Sequence, residues 1–103
     1  MASDFSLVSK IHTVGETVVV AICDPELVNR TLTGPRGIKI VAKEEFYGNQ
    51  TIPCDELMQW LKKATSINAI GSKSVEFLVN NGYGSQRSVI MMGDVPHLIF
   101  MKS

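Results

Sequence analysis

The stretch Thr17–Cys23, TVVVAIC, constrains the fold more than any other part of the chain. All of it but Thr17 is apolar, and most of it is β-branched. Such a run has no polar face to turn toward water, so it reads as a strand covered on both sides, near the centre of a sheet. The preceding FSLVSKIH (Phe5–His12) alternates, with Phe5, Leu7 and Ile11 on one face and Ser6, Lys10 and His12 on the other. That pattern predicts a half-buried strand. TVGE joins the two, and Gly15 supplies the backbone freedom of a tight turn, so an antiparallel hairpin is expected.

Beyond the hairpin, DPELVNR offers Asp24 as a helix N-cap and Pro25 as a first helical residue, enough for one short turn. IKIVAK (38–43) alternates again, with Ile38, Ile40 and Ala42 inward and Lys39 and Lys43 outward. From about Pro53 the period changes. Leu57, Trp60, Leu61, Ala64 and Ile67 form an apolar stripe at helical spacing, opposite Glu56, Gln59, Lys62 and Lys63. NAIGSKSVEFLVNNG reads as a break and then a second helix, capped by Ser72, buried through Val75, Leu78 and Val79, and stopped at Asn81-Gly82. RSVIMMG and HLIFMKS read as two more strands joined by DVP, where Pro96 holds Val95 extended. The expected fold is α+β: a mixed, mostly antiparallel sheet of about five strands with two consecutive helices packed on one face. Residues 1–103 make a single domain by length.

Ten basic and ten acidic side chains cancel. No net field therefore draws the chain to nucleic acid or an anionic membrane, and such contact needs a local patch. The longest apolar stretch, VIMMGDVPHLIFM, is interrupted by Gly93, Asp94 and Pro96, so no membrane partner is expected. MASDFSLVSK lacks the basic start and apolar run of a signal peptide. Two cysteines are too few for a disulfide scaffold, and a cytoplasmic setting with reduced thiols is the economical reading.

Candidate chemistry is sparse. Cys23, Cys54, His12 and His97 are the soft metal ligands, but no two share a zinc-site spacing, so neither metal nor cofactor is expected. Cys54 stands near a helix N-terminus, where the dipole lowers a thiol pKa, and His97 is available as its base; no nucleophile motif accompanies them. Glu44, Glu45, Asp55 and Glu56 fit solvated surface and helix-end electrostatics better than an acid/base pair. GYGS (82–85) follows a helix and fails as a dinucleotide loop. INAIGSKSVEFL (67–78) is similar to the turn and second helix of a helix-hairpin-helix module, with Gly71 and Lys73 in the phosphate-contacting positions and Ala69 in place of the usual first glycine. An exposed helix start with a nearby Lys is an anion site; the plainer reading is a packed helical corner. In EEFYGN, Phe46 is expected to anchor the loop in the core and Tyr47 to stand proud before Gly48 as a recognition residue; the equal alternative is that both rings cover the helix end.

Taken together, VGETVVVAICDPEL (14–27), EEFYGNQ (44–50), ATSINAIGSKSVEFLVNNGY (64–83) and GDVPH (93–97) resemble a small archaeal family catalogued as a domain of unknown function, number four hundred and twenty-four. The likeness spans nearly the whole chain. It brings no established activity; it implies an archaeal cytoplasmic setting and, through genes that neighbour translation factors, an RNA- or ribosome-related role by association. Members usually continue Val-Pro-His with a small residue and an amide, where this chain has Leu98 and Ile99. The matched positions are Cys23, Asp24, Tyr47, Gly48, Asn68, Gly71 and His97.

The leading reading is a non-enzymatic interaction module that binds RNA or a ribosome or translation component. Its expected contact set is Asp24, Tyr47, Gly48, Asn68, Gly71, Lys73 and His97. The runner-up is a small enzyme or ligand-binding domain in which Asp24, Cys54, Asn68 and His97 converge in a cleft between the helix pair and the sheet. A third is a homodimer paired through the C-terminal strand.

Overall fold

In a computed structural model, which describes residues 6–102, the apolar run becomes β2 (Thr17–Cys23). β1 (Ser6–Val14) pairs with it antiparallel across the Gly15 turn, as the alternation predicts; Phe5 lies outside the described residues. Four further strands complete one sheet: β5 (Thr51–Pro53), β6 (Ser66–Ile70), β7 (Ile90–Met92) and β8 (Val95–Met101). Their spatial order is β5-β1-β2-β6-β8-β7, and every neighbouring pair is antiparallel except β2 and β6. β3 (Thr31–Thr33) and β4 (Lys39–Val41) pair only with each other. The helices are α1 (Glu44–Tyr47), α2 (Cys54–Lys63) and α3 (Ser72–Asn80).

The fold class is the expected one, a mixed and mostly antiparallel α+β sheet, but the helices are not consecutive. Between α2 and α3 the chain crosses the sheet as β6, the strand that separates β2 from β8. Ile67, which falls on the helical stripe of α2, is a strand residue. The local reason is visible at the end of α2. Ala64 is extended, and the Lys102 ammonium donates to the Leu61 and Lys62 carbonyls at 3.0 and 2.9 Å, satisfying groups that a further helical turn would have used. Ile67-Asn68-Ala69-Ile70 then gains strand neighbours on both edges.

The alternation of β2 and β6 divides the core in two. Val20, Ile22, Ile67 and Ala69 face α2 and α3, packing with Leu57, Leu61, Val75, Leu78 and Leu98. Ala21, Cys23 and Ile70 face the opposite way, against Leu27, Leu32, Ala42, Tyr47 and Met92. That second cover is built from the β3–β4 ribbon and α1, so β2 is enclosed on both sides as its composition demands. The cover is incomplete. Register places Val19, Ser66 and Met101 in one cross-strand row and Ala21, Asn68 and Ile99 in the next, all on this second face. Ile99 and Met101 are 54% and 73% exposed, so the sheet is left open here.

IKIVAK departs from its expected pattern. Ala42 is buried, but Ile38 is largely exposed, because it closes the 3-10 turn Pro35–Gly37 and lies outside β4. RSVIMMG is strand only from Ile90; Gln86–Ser88 is a short 3-10 turn.

Candidate functional site

Two polar groups on or beside β6 contain most of the residues singled out by sequence. The first is the junction where β6 turns into α3. Asp24 follows β2, and its backbone N–H donates to the Ile70 carbonyl at 3.1 Å. Because β2 and β6 run parallel, this places its side chain at the start of α3. One carboxylate oxygen accepts the Lys73 N–H at 3.1 Å; the other accepts the Ser74 N–H at 2.8 Å and the Ser74 hydroxyl at 2.7 Å. Asp24 therefore caps a helix far along the chain, not the 3-10 turn Pro25–Leu27 that it precedes, where it makes no side-chain cap. Gly71 is required at this contact. Its φ is +110°, and a Cβ there would lie 2.3 Å from the Asp24 carboxyl carbon.

This geometry overturns the phosphate contact proposed for Gly71 and Lys73. Gly71, Asp24 and Ser74 are buried, the Gly71 N–H donates to the Pro96 carbonyl, and the Lys73 and Ser74 N–H groups are taken by a carboxylate of the chain itself. Asp24 stands where an external anion would have bound.

The second group lies on the incompletely covered face. The Tyr47 hydroxyl donates to Asn68 Oδ1 at 2.6 Å, and His97 Nε2 lies 3.0 Å from the same oxygen. An amide oxygen only accepts, so Nε2 carries the imidazole proton and Nδ1 is left as an acceptor. The Asn68 Nδ2 donors and His97 Nδ1 take no partner among the described residues. No buried side-chain polar atom among those residues lacks a partner, so both atoms meet solvent. The trio thus presents two donors and one acceptor at the edge of an apolar surface formed by Ile90, Ile99 and Met101.

Burial sets the charge state of the group. It pushes the His97 pKa down, favouring the neutral ring. It pushes Tyr47 up, with Cys23 adding to the effect, so the phenol stays a donor. Cys23 is raised to about 12 by burial and by the neighbouring Asp24 and Glu26, which keeps it a thiol.

Tyr47 is buried instead of standing proud, while Phe46 packs half-buried against the same core cluster, as a loop anchor does, and stacks at 5.1 Å on His12, whose Nε2 donates to the Phe46 carbonyl at 2.7 Å. Gly48 ends α1 at φ +86°, close to the Ser9 carbonyl, and serves the chain reversal.

The cleft with Asp24, Cys54, Asn68 and His97 does not form. Cys54 opens α2 on the helical side of the sheet, while Asn68 and His97 face the other way and Asp24 is consumed in its cap. Burial and the nearby Asp55 raise the Cys54 pKa, against the helix-dipole effect. Among the described residues no group of His, Cys, Asp and Glu is arranged to hold a metal ion.

Sequence reading missed a polar cleft of about 480 Å³ beside α1. There Asn29, in the left-handed region at φ +67°, and Asn49 both donate to the Glu44 carboxylate. The positive φ belongs to an Asn, a residue type that tolerates it, but no local motif announced the pairing.

Fold and site together define a small α+β domain with a hydrogen-bonding cluster on a partly open sheet face. The chain belongs to the family described as "Protein of unknown function (DUF424)", whose model matches residues 11–102. Its fold is similar to the crystal structure of an uncharacterized conserved protein from Methanopyrus kandleri, with a TM-score of 0.75, 24% sequence identity and 96% of each chain covered. No curated protein matches the chain. No helix among the described residues is long and apolar enough to cross a membrane.

Proposed function

We propose that this chain is a non-enzymatic interaction module whose recognition surface is the open sheet face around Asn68 and His97. The observation that carries the reading is the unspent hydrogen-bonding capacity of these two side chains, which meet at the Asn68 oxygen that also accepts from Tyr47 and are bordered by exposed Ile90, Ile99 and Met101. A donor amide beside an acceptor imidazole suits a partner group that offers an acceptor next to a donor, such as a carboxamide, a peptide unit or a nucleobase edge. A few fixed polar groups set among apolar side chains are the usual make-up of a small recognition site.

An RNA or translation-component partner remains part of this proposal, now at a different place. Lys62, Lys63 and Lys73 belong to α2 and α3 on the helical side, away from His97, so phosphate attraction by them does not support RNA at the open face. A protein component is the better match to the apolar rim. The two free, buried thiols fit a reducing compartment such as the cytoplasm.

The test is capture from cell extract with the intact chain and with Asn68→Leu, each with and without ribonuclease. A partner retained by the wild type and lost from the variant supports the reading, and its sensitivity to ribonuclease tells RNA from protein. Identical capture profiles for the two chains would refute it.

A further inference from the structure

We infer that β8 carries a self-complementary edge, and that a second copy of this chain pairs with it antiparallel through Ile99 and Met101. The argument begins with the direction of the backbone groups. The Gly71 N–H donates to Pro96 O, and the Lys102 N–H donates to Thr65 O. In an antiparallel ladder the groups alternate, so Pro96, Leu98, Phe100 and Lys102 point toward β6. Val95, His97, Ile99 and Met101 point the other way. β7 meets only the first two of these, through Met92 and Ile90. The outward N–H and C=O groups of Ile99 and Met101 take no backbone partner among the described residues.

A two-fold axis through the Phe100 pair uses all of these groups. It sets Ile99 opposite the second copy's Met101, and Met101 opposite its Ile99, closing four N–H···O=C bonds by the antiparallel rule. The same register places the exposed Ile99 and Met101 side chains of both copies against one another on the open face, and Phe100 against Phe100 on the helical face. No charged side chain falls at these positions. Backbone direction and side-chain chemistry thus select one register. A foreign strand would meet the backbone need but has no reason to match the apolar pairs. The paired segment is only as long as the part of β8 that β7 leaves uncovered, far short of the roughly 20–30 residues a side of interfaces of about 1,200–2,000 Å², so the dimer belongs to the weak class. The pairing draws on Ile99 and Met101, which also border the Asn68–His97 patch; Asn68→Leu leaves the β8 edge intact, so a dimer that persists in that variant while its partner capture is lost separates the two readings.

Sedimentation equilibrium from about 10 μM to about 1 mM covers the weak range. The wild type should shift from monomer to dimer. Met101→Pro removes an outward N–H and the Met101 side chain, leaves the groups that point toward β6 in place, and should weaken association at least tenfold. The double variant Ile99→Lys with Met101→Lys should be monomeric, because it opposes like charges. Ile99→Glu with Met101→Lys sets opposite charges across the axis and should restore a dimer that added salt weakens. Circular dichroism confirms that each variant is folded. A wild type that stays monomeric throughout, a Met101→Pro variant that associates like the wild type, or an acid–base pair no better than the double lysine would each overturn the inference.

Discussion

Asp24 at the start of α3 and Asn68 in the middle of β6 are both polar side chains set in an apolar stretch of sequence, yet their hydrogen bonds are spent differently. Asp24 offers only acceptors, and three donors from α3 use both of its oxygens. Asn68 spends its oxygen on Tyr47 and His97 and keeps its amide donors for solvent. A group whose valences are all met inside the fold is a fastening; one with valences left over is a place for a partner. The distinction lies in counting donors and acceptors, not in burial alone.

The severest way to break the closed junction is Gly71→Ala. The new methyl would displace Asp24 from the helix and strain a backbone at φ +110°, and a loss of about 4 kcal/mol is expected in urea unfolding. Asp24→Ala removes the cap without the clash and should cost about 2 kcal/mol, while Asp24→Asn, which keeps one acceptor, should cost about half of that. On the open side the effects are smaller. Tyr47→Phe deletes one hydrogen bond to Asn68 and should lower stability by about 1 kcal/mol; a larger fall than for Asp24→Ala would reverse the contrast.

The mildest effect is in pH dependence. Because burial holds the folded pKa of His97 below its ordinary value of 6.5, the unfolded chain binds more protons in that window. Stability should decline as pH falls below about 6.5 and toward the folded pKa. His97→Gln should flatten that decline in thermal melts at pH 7 and pH 5. An unchanged slope would mean that the ring is already free to charge in the native state.

Much of this architecture was legible in the chain. β2 is central, the hairpin closes at Gly15, α3 stops at Asn81-Gly82, and the sheet is mixed with α2 and α3 on one face. β6 was not legible, because Ile67 continues the helical stripe of α2 and five residues are too few to announce a strand by alternation. Tyr47, Asn68 and His97 were each singled out, and the fold brings those three together. Gly71 was singled out as well, but for the wrong reason: no spacing rule connects it with Asp24, which is buried against it.

By itself the sequence determined where apolar surface had to be hidden, since patterning at a period of two or 3.6 residues is a local property. It also set where the chain could turn, through glycine and proline. Tertiary structure alone decided which polar atoms were left unpaired, because hydrogen-bond partners far apart in the chain meet only when β2, β6 and β8 lie side by side. Recognition depends on that remainder, which exists only once the strands are in register.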